Sequence, residues 1–233
     1  MDEVGQPNGP VFLDVMAGTA GKPFCAGVIV SRGDSLLVTL NSDGLPPELG
    51  KDTWRVGGVG GGQQQGETIV ECAVREAHEE LSTSVTLCSS PVTYFQDLDT
   101  GECREVRCTD RCAPLLLQKQ RSLTPDRAFR PGLPIGPEIH IGLYLAAELP
   151  TNMRPGDDVA ALLFLPFDCW PMLDDIPTLE IVLSHGGQLV ASRSHVRTTQ
   201  RLWAAADESF GTVAKLLARH PELRLHDLGM GDS

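Results

Sequence analysis

Residues 61–85 read GGQQQGETIVECAVREAHEELSTSV and place Glu67, Glu71, Glu76, Glu79 and Glu80 within fourteen positions around a single Arg75. From Thr68 to about Ser82 the pattern is helical. Val70, Val74, Ala77 and Leu81 recur at i, i+4, i+7 and i+11, an apolar stripe along one side. On such a helix Glu76, Glu79 and Glu80 share a side, because positions three and four apart are neighbours. Left bare, the three carboxylates repel one another; with a hard cation present they become oxygen ligands. Mg²⁺ suits this arrangement, taking a few carboxylates, retained waters and phosphate oxygens. A solvated acidic face and a cation site are therefore the two readings of the stretch. Gly57, Gly58, Gly60, Gly61, Gly62 and Gly66 precede the helix, and backbone without side chains can approach a phosphate or metal closely. Arg75 follows Glu67 by eight positions, so contact between them requires Glu67 to sit in the preceding loop and fold back.

The whole chain has 233 residues, 41% of them hydrophobic and 21% charged, as in an ordinary globular protein. Its net charge of -12 argues against general adhesion to nucleic acid or to an anionic membrane. A phosphorylated small ligand remains compatible with it, since a bound divalent metal inverts the local sign. No apolar run reaches the length of a membrane span, and the acidic start MDEVGQPNGPVF lacks a secretory pattern. The expected location is cytoplasmic, with the seven cysteines as ordinary thiols.

Along the chain, residues 1–20 lack periodicity and are expected to be a flexible lead-in. FCAGVIVSR (24–32) and SLLVTLN (35–41) read as a strand pair with a tight turn. WRVGG leads as a short strand into a glycine-rich turn. SVTLCSSPVTYFQD, IHIGLYLAAEL and VAALLFLPF read as strands, and residues 198–220 as a C-terminal helix with Leu202, Ala205, Phe210, Val213 and Leu217 on its apolar side. Strands outnumber helices, which is an α/β pattern. The segment 100–137 shows no strand pattern and carries seven basic against four acidic residues, leaving it locally positive. A loop of that length in a compact domain is functional or disordered.

The spacing Gly61, Glu67, Arg75-Glu76-Ala77-His78-Glu79-Glu80-Leu81 closely resembles the Nudix box, G-x5-E-x7-R-E-U-x-E-E-x-G-U. Ser82 and Thr83 stand where that pattern has Gly and an aliphatic residue, and Val56 replaces the proline that usually precedes the paired glycines. The resemblance implies a Nudix-type α/β/α sandwich with a mixed β-sheet. It divides the chain into a lead-in (1–20), a Nudix domain (21–220) with a long insertion at about 100–137, and a tail (221–233). It further implies a hydrolase that cleaves the diphosphate linkage of a nucleoside diphosphate derivative. Carried over by position, Glu76, Glu79 and Glu80 would be metal ligands, with Glu67 near the metal and Arg75 orienting helix and loop. The metal would be Mg²⁺, with Mn²⁺ as a substitute, and the partner a small-molecule nucleotide. Homodimers are common in the family. The other class open to the chain is a catalytically inactive Nudix-fold protein that binds or senses a nucleotide metabolite.

The remaining candidates are read from position and chemistry. Asp157 and Asp158, between two strands, are candidates for the base that activates water; a polar turn is the plainer reading. Gly61 and Gly62 could approach substrate phosphates, as could the guanidinium groups of Arg55, Arg121, Arg127 and Arg130. His78 reads as a surface histidine and His140 as a structural polar contact. Glu71, outside the fixed positions of the box, reads as solvated surface.

Overall fold

The computed structural model describes residues 11–225. In chain order, the first half carries β1 (Phe12–Leu13), α1 (Val15–Thr19), β2 (Phe24–Ile29), β3 (Ser31–Arg32), β4 (Ser35–Asn41), β5 (Thr53–Gly57), β6 (Val59–Gly62) and α2 (Ile69–Leu81). There follow β7 (Leu87–Cys88), β8 (Thr93–Asp97), β9 (Cys103–Cys108), β10 (Leu116–Arg121) and β11 (Glu138–Ala146). The last third adds β12 (Ala161–Pro166), α3 (Leu179–Ser184), β13 (Gln188–Ser192), β14 (Arg201–Trp203) and α4 (Ser209–Arg219).

The strands form a mixed layer divided into two sheets. One runs β1-β9-β8-β10-β11-β2-β6 with β7 on β11, and the other β13-β12-β4-β5-β14 with β3 on β4. Residues two apart on a strand share a face, and the core divides accordingly. Val28, Val30 and Leu37 pack with Ile69, Ala73, Ala77 and Leu81 of α2. Ile29, Leu36, Val38 and Leu40 pack with Phe210, Val213 and Leu217 of α4. Helices therefore cover both faces, which is the expected α/β/α sandwich. Among the described residues no helix is long and apolar enough to cross a membrane.

Several local expectations differ. Only the end of 24–32 hairpins with β4, through Ser31↔Leu36 and Arg32↔Ser35; β2 belongs to the other sheet and pairs with β11 and β6. The glycine run is not a turn but the strand β6. Residues 100–137 contain β9 and β10, so the longest irregular stretch of the insertion is 122–137. The helix expected over 198–220 begins only at Ser209, because Arg201–Trp203 pair in parallel with β5. Part of the lead-in is ordered: β1 pairs with β9, and Asp110 accepts the Val15 N–H at 2.7 Å. Residues 1–10 and 226–233 lie outside the described residues, while the first part of the expected tail is anchored by Leu225 N–H donating to Ser31 Oγ at 3.0 Å.

Helix α2 starts and stops where its sequence signals. The Thr68 side chain accepts from Glu71 N–H, and the Glu71 carboxylate accepts the Thr68 N–H at 2.8 Å, a capping box. Glu71, expected to be mere solvated surface, thus closes the helix N-terminus. The buried stripe is Ile69, Cys72, Ala73, Ala77 and Leu81, rotated from the expected one; Val74 is exposed. Ser82 ends the helix in the left-handed region, φ 52° and ψ 30°. A β-carbon is strained there and glycine is not. Ser82→Gly is therefore expected to stabilise the protein by about 0.5–1 kcal/mol after the entropy glycine adds to the unfolded chain. Differential scanning calorimetry should show this as a rise of about 1–4 °C in Tm.

Candidate active site

The Glu67 carboxylate does fold back from the loop before α2. Arg75 Nε donates to Glu67 Oε1 at 2.5 Å, Nη2 donates to Glu67 Oε2 at 3.1 Å, and Gln64 N–H donates to Oε2 at 2.7 Å. The same guanidinium donates from Nη1 to Glu76 and to Glu79, both at 2.8 Å, and from Nη2 to the Gly62 carbonyl at 2.9 Å. One arginine thus ties the loop, strand β6 and two turns of α2 together. Burial pushes the Glu67 carboxyl up, but the hydrogen bonds from Arg75 and Gln64 outweigh it and hold the group below its ordinary range.

Strand β6 is a sheet edge that α2 overlies, and its lack of side chains sets how close the helix comes. A β-carbon on Gly61 would lie 2.6 Å from the Glu76 carboxylate, so only glycine leaves room for that carboxylate. Gly60 N–H, on the same strand, donates to Glu80 Oε2 at 2.9 Å. Burial, followed by the like charge of Glu76 among the lesser causes, pushes the Glu80 carboxyl up to about 8 despite that hydrogen bond. Burial also raises Glu76, against the hydrogen bond from Arg75. Both carboxyls are therefore raised chiefly by burial, which outweighs the arginine charge near them.

Glu76, Glu79 and Glu80 do share one side of α2, as expected, but they do not close into a cage. Glu76 and Glu79 lean on Arg75, and Glu80 turns to the β6 backbone. Among the described residues no three carboxylates, histidines or cysteines converge as a metal site. The donor chemistry nevertheless fits a hard divalent cation: the groups are all oxygen, and burial disfavours Glu76 and Glu80 as anions, a cost that a bound cation would offset.

Two cavities flank the strand. One of about 360 Å³ lies at the start of α2, lined by residues that include Thr19, Lys22, Gln63, Gln64 and Glu67. The other, about 210 Å³, lies between β2, β6 and the 122–137 loop, and is lined by Phe24, Cys25, Gly62, Gln63, Arg127 and Phe129 among others. Burial and then the nearby charge of Glu76 push the Cys25 thiol up to about 11, which ties this second cavity to the carboxylate cluster.

The other candidates fall in different places. Gly61 and Gly62 are in the cluster, and Arg127 is on the rim of the smaller cavity. Arg121 ends β10 opposite Glu138, and Arg130 extends over the neighbouring Phe129 ring at 5.7 Å; neither lines a cavity beside the cluster. Arg55 is engaged within the protein, donating to the Asp43 carbonyl at 3.2 Å and lying 3.9 Å from Glu208. Asp157 and Asp158 are exposed and line a separate cleft with Asp43 and His195. Their loop is nonetheless pinned to the end of α2, where Gly156 N–H donates to the Glu80 carbonyl and Arg154 N–H to that of Leu81, both at 2.9 Å. His140, expected to make a polar contact, is buried with no partner for Nδ1, and burial lowers its pKa. His78 is exposed. Glu208, within the helix expected over 198–220, instead stands at the N-cap of α4, 3.9 Å from Arg55, and carries no signal in the sequence.

Residues 21–109 match the family model described as NUDIX domain. No curated protein matches the chain. Among solved structures, the chain is 14% identical to the E. coli ORF135 protein, with 66% of this chain and 78% of that one covered and a TM-score of 0.38. It is 18% identical to a MutT NUDIX hydrolase from Burkholderia pseudomallei, covering 63% of this chain and 84% of that one at a TM-score of 0.34. It is 20% identical to a bifunctional NMN adenylyltransferase/ADP ribose pyrophosphatase from Francisella tularensis, with 62% and 34% covered and a TM-score of 0.34. These likenesses are too remote to speak to chemistry. The family match spans the strands and the helix that assemble the Arg75 cluster, and through residues 21–109 the chain carries a NUDIX domain.

Proposed function

We propose that the protein is a metal-dependent hydrolase that cleaves the diphosphate linkage of a nucleoside diphosphate derivative. The products would be a nucleoside monophosphate and a phosphorylated X group, or those of nucleotide pyrophosphohydrolysis. The NUDIX domain supports this chemistry in general terms. The observation that carries it to this chain is the Arg75-centred cluster, in which Glu76 and Glu80 are raised by burial against the glycine strand β6, whose Gly62 faces open space. Glu76, Glu79 and Glu80 would hold the metal, with Glu67 beside them through Arg75. Mg²⁺, or Mn²⁺ in its place, supplies charge neutralisation of the diphosphate and a water of lowered pKa when bound. Arg75 keeps the loop and helix in register, and the Gly60–Gly62 backbone admits the phosphates. Arg127 faces the cavity next to Gly62, where it would meet an anionic substrate, and Arg121 and Arg130 add positive charge on the same loop. Asp157 and Asp158 are the proposed sources of the base, their loop being fixed against α2. The domain extends in this reading to residue 220, since α4 closes one face of the core. The substrate is a small nucleotide, not a nucleic acid or a membrane, in a cytoplasmic protein able to form a homodimer.

The engagement of Glu76 and Glu79 by Arg75 favours a second reading, a domain that binds a nucleotide metabolite without turnover. One screen separates the two. Wild-type protein with Mg²⁺ or Mn²⁺ is incubated with a panel of nucleoside triphosphates, sugar nucleotides and dinucleotides, and the products are resolved by chromatography. Release of nucleoside monophosphate or phosphate from a panel member is expected. Thermal stabilisation by a nucleotide with no product after long incubation would establish the second reading instead.

A further inference from the structure

The cavity of about 210 Å³ beside Gly62 is walled on one side by the 122–137 loop, and that loop is seated at several points. Ser122 N–H donates to the Pro137 carbonyl at 2.8 Å and closes its base. A β-carbon on Gly136 would lie 3.3 Å from Pro23, just ahead of β2. One on Gly132 would lie 3.4 Å from the Gln65 side chain, in the connection between β6 and α2. The loop therefore packs on both neighbours of the cavity, which is preformed, as ligand sites usually are. Its volume is below the roughly 300–1,000 Å³ of a site for a drug-sized ligand, so it takes one end of a substrate and not the whole.

Two side chains lining it stand out against their surroundings. Phe129 is 82% exposed, an aromatic ring at a cavity rim that offers a flat apolar face to whatever enters. Gln63, the residue after β6, is the reverse case: a polar side chain only 6% exposed. Its backbone N–H donates to the Phe24 carbonyl at 3.3 Å, but its side-chain amide makes no hydrogen bond to any described residue. Buried amides are paired as a rule, and this one borders both cavities beside the carboxylate cluster. It brings two donors and an acceptor to a lining that Phe24, Leu133 and Ile139 otherwise make apolar.

We propose that this cavity is the base pocket of the site: a nucleobase stacks on Phe129 and presents its hydrogen-bonding edge to the Gln63 amide. A flat heterocycle with donors and acceptors on its rim is the one ligand chemistry that serves both residues, since any base stacks on an aromatic ring and its edge is read by fixed polar groups. Gly62 then lies between the base and the diphosphate. Its carbonyl accepts from Arg75 at 2.9 Å, and nothing lies within 4 Å of where its side chain would be. The inference rests on the nucleotide substrate of the proposed function and names the residues that select it. The loop that carries Phe129 lies beyond residue 109, where the family match ends, so half of the pocket is built by chain outside the matched segment.

Isothermal titration calorimetry in EDTA tests this without metal and without turnover. The probes are AMP, GMP, CMP and UMP, with ribose 5-phosphate as the ligand that lacks a base. At least one nucleotide is expected to bind about tenfold or more tightly than ribose 5-phosphate, and Phe129→Ala to weaken that nucleotide about tenfold, the order for loss of one base–aromatic stack. The loss should be confined to ligands that carry a base. Phe129→Trp, which keeps a stacking face, is expected to bind within about twofold of the wild type. Gln63→Met, close in size but without the amide, should narrow the preference among the bases about threefold or more. Phe129 is exposed, so its variants decide the matter even where Gln63→Met fails to fold. Equal affinity for ribose 5-phosphate and every nucleotide, wild-type nucleotide affinity in Phe129→Ala, or an unchanged base preference in folded Gln63→Met overturns the proposal. Product in the hydrolysis screen would then leave the hydrolase reading standing. Conversely, Phe129-dependent binding by a protein that turns over no panel member sustains the base pocket and overturns the hydrolase reading.

Discussion

Replacing Arg75 with alanine is expected to lower Tm by about 10 °C and to abolish any hydrolysis. The guanidinium serves Glu67, Glu76, Glu79 and the Gly62 carbonyl at once. Glu67 and Glu76 are only 14% and 13% exposed, so without Arg75 they are neighbouring anions with little water. Removing one partner of a buried ion pair costs about 3–5 kcal/mol. The lower end applies here, because Glu67 keeps the Gln64 N–H and Glu76 can take up a proton. The Glu79 contact adds little, since that side chain is 52% exposed and exposed i,i+4 pairs contribute only about 0.3–0.5 kcal/mol. For a chain of this size about 3 kcal/mol corresponds to roughly 6–12 °C. Arg75→Lys should fall between the two, keeping the charge and losing the planar fork that reaches three carboxylates. Calorimetry with and without Mg²⁺ measures both effects, and added Mg²⁺ should restore part of the loss in the alanine variant. An unchanged melt would mean that the cluster is solvated surface charge.

The part of the site legible in the sequence is the part governed by helical spacing. The shared side of Glu76, Glu79 and Glu80, the return of Glu67 to Arg75 and the boundaries of α2 follow from periods of three and four and from one required loop. The missed parts lack such a period. Gly60, Gly61 and Gly62 have no side chains to alternate, so the strand β6 looked like a turn. CREVRC of β9 is exposed at most of its positions, so no buried face reveals it. RLW is too short to show alternation, and its pairing with β5 depends on residues nearly 150 positions away. The capping role of Glu71 is legible in the sequence as Thr68-x-x-Glu71. Glu208 had no local signal. Its place beside Arg55 is set by the packing of Phe210 on Gly58, a contact across about 150 residues.

Replacing Glu79 and Glu80 together with glutamine is expected to lower hydrolysis by about a thousandfold, the consequence of losing roughly 4 kcal/mol of metal-borne charge stabilisation. The same change is expected to leave the fold intact. Glutamine at 80 keeps the size of the side chain and an oxygen for the Gly60 N–H, and Glu79 is half exposed. The two effects separate in the pH dependence of stability without metal. The folded-state pKa of Glu80, about 8, lies above the ordinary 4.5. The folded protein therefore binds more protons than the unfolded chain between those values, and the wild type should lose stability as pH rises from about 4.5 through 8. Glutamine carries no charge to bury, so the variant should lose less over that range and melt higher than the wild type above pH 8 in a chelator. Adding Mg²⁺ should reverse the order, because a cation that prefers the folded wild-type site stabilises it by mass action and has fewer anionic ligands in the variant. Turnover unchanged by the double substitution would remove Glu79 and Glu80 from the chemistry. A variant that instead melts below the wild type above pH 8 without metal would show that the Glu80 carboxylate is already compensated within the protein, with no charge left for a cation to satisfy.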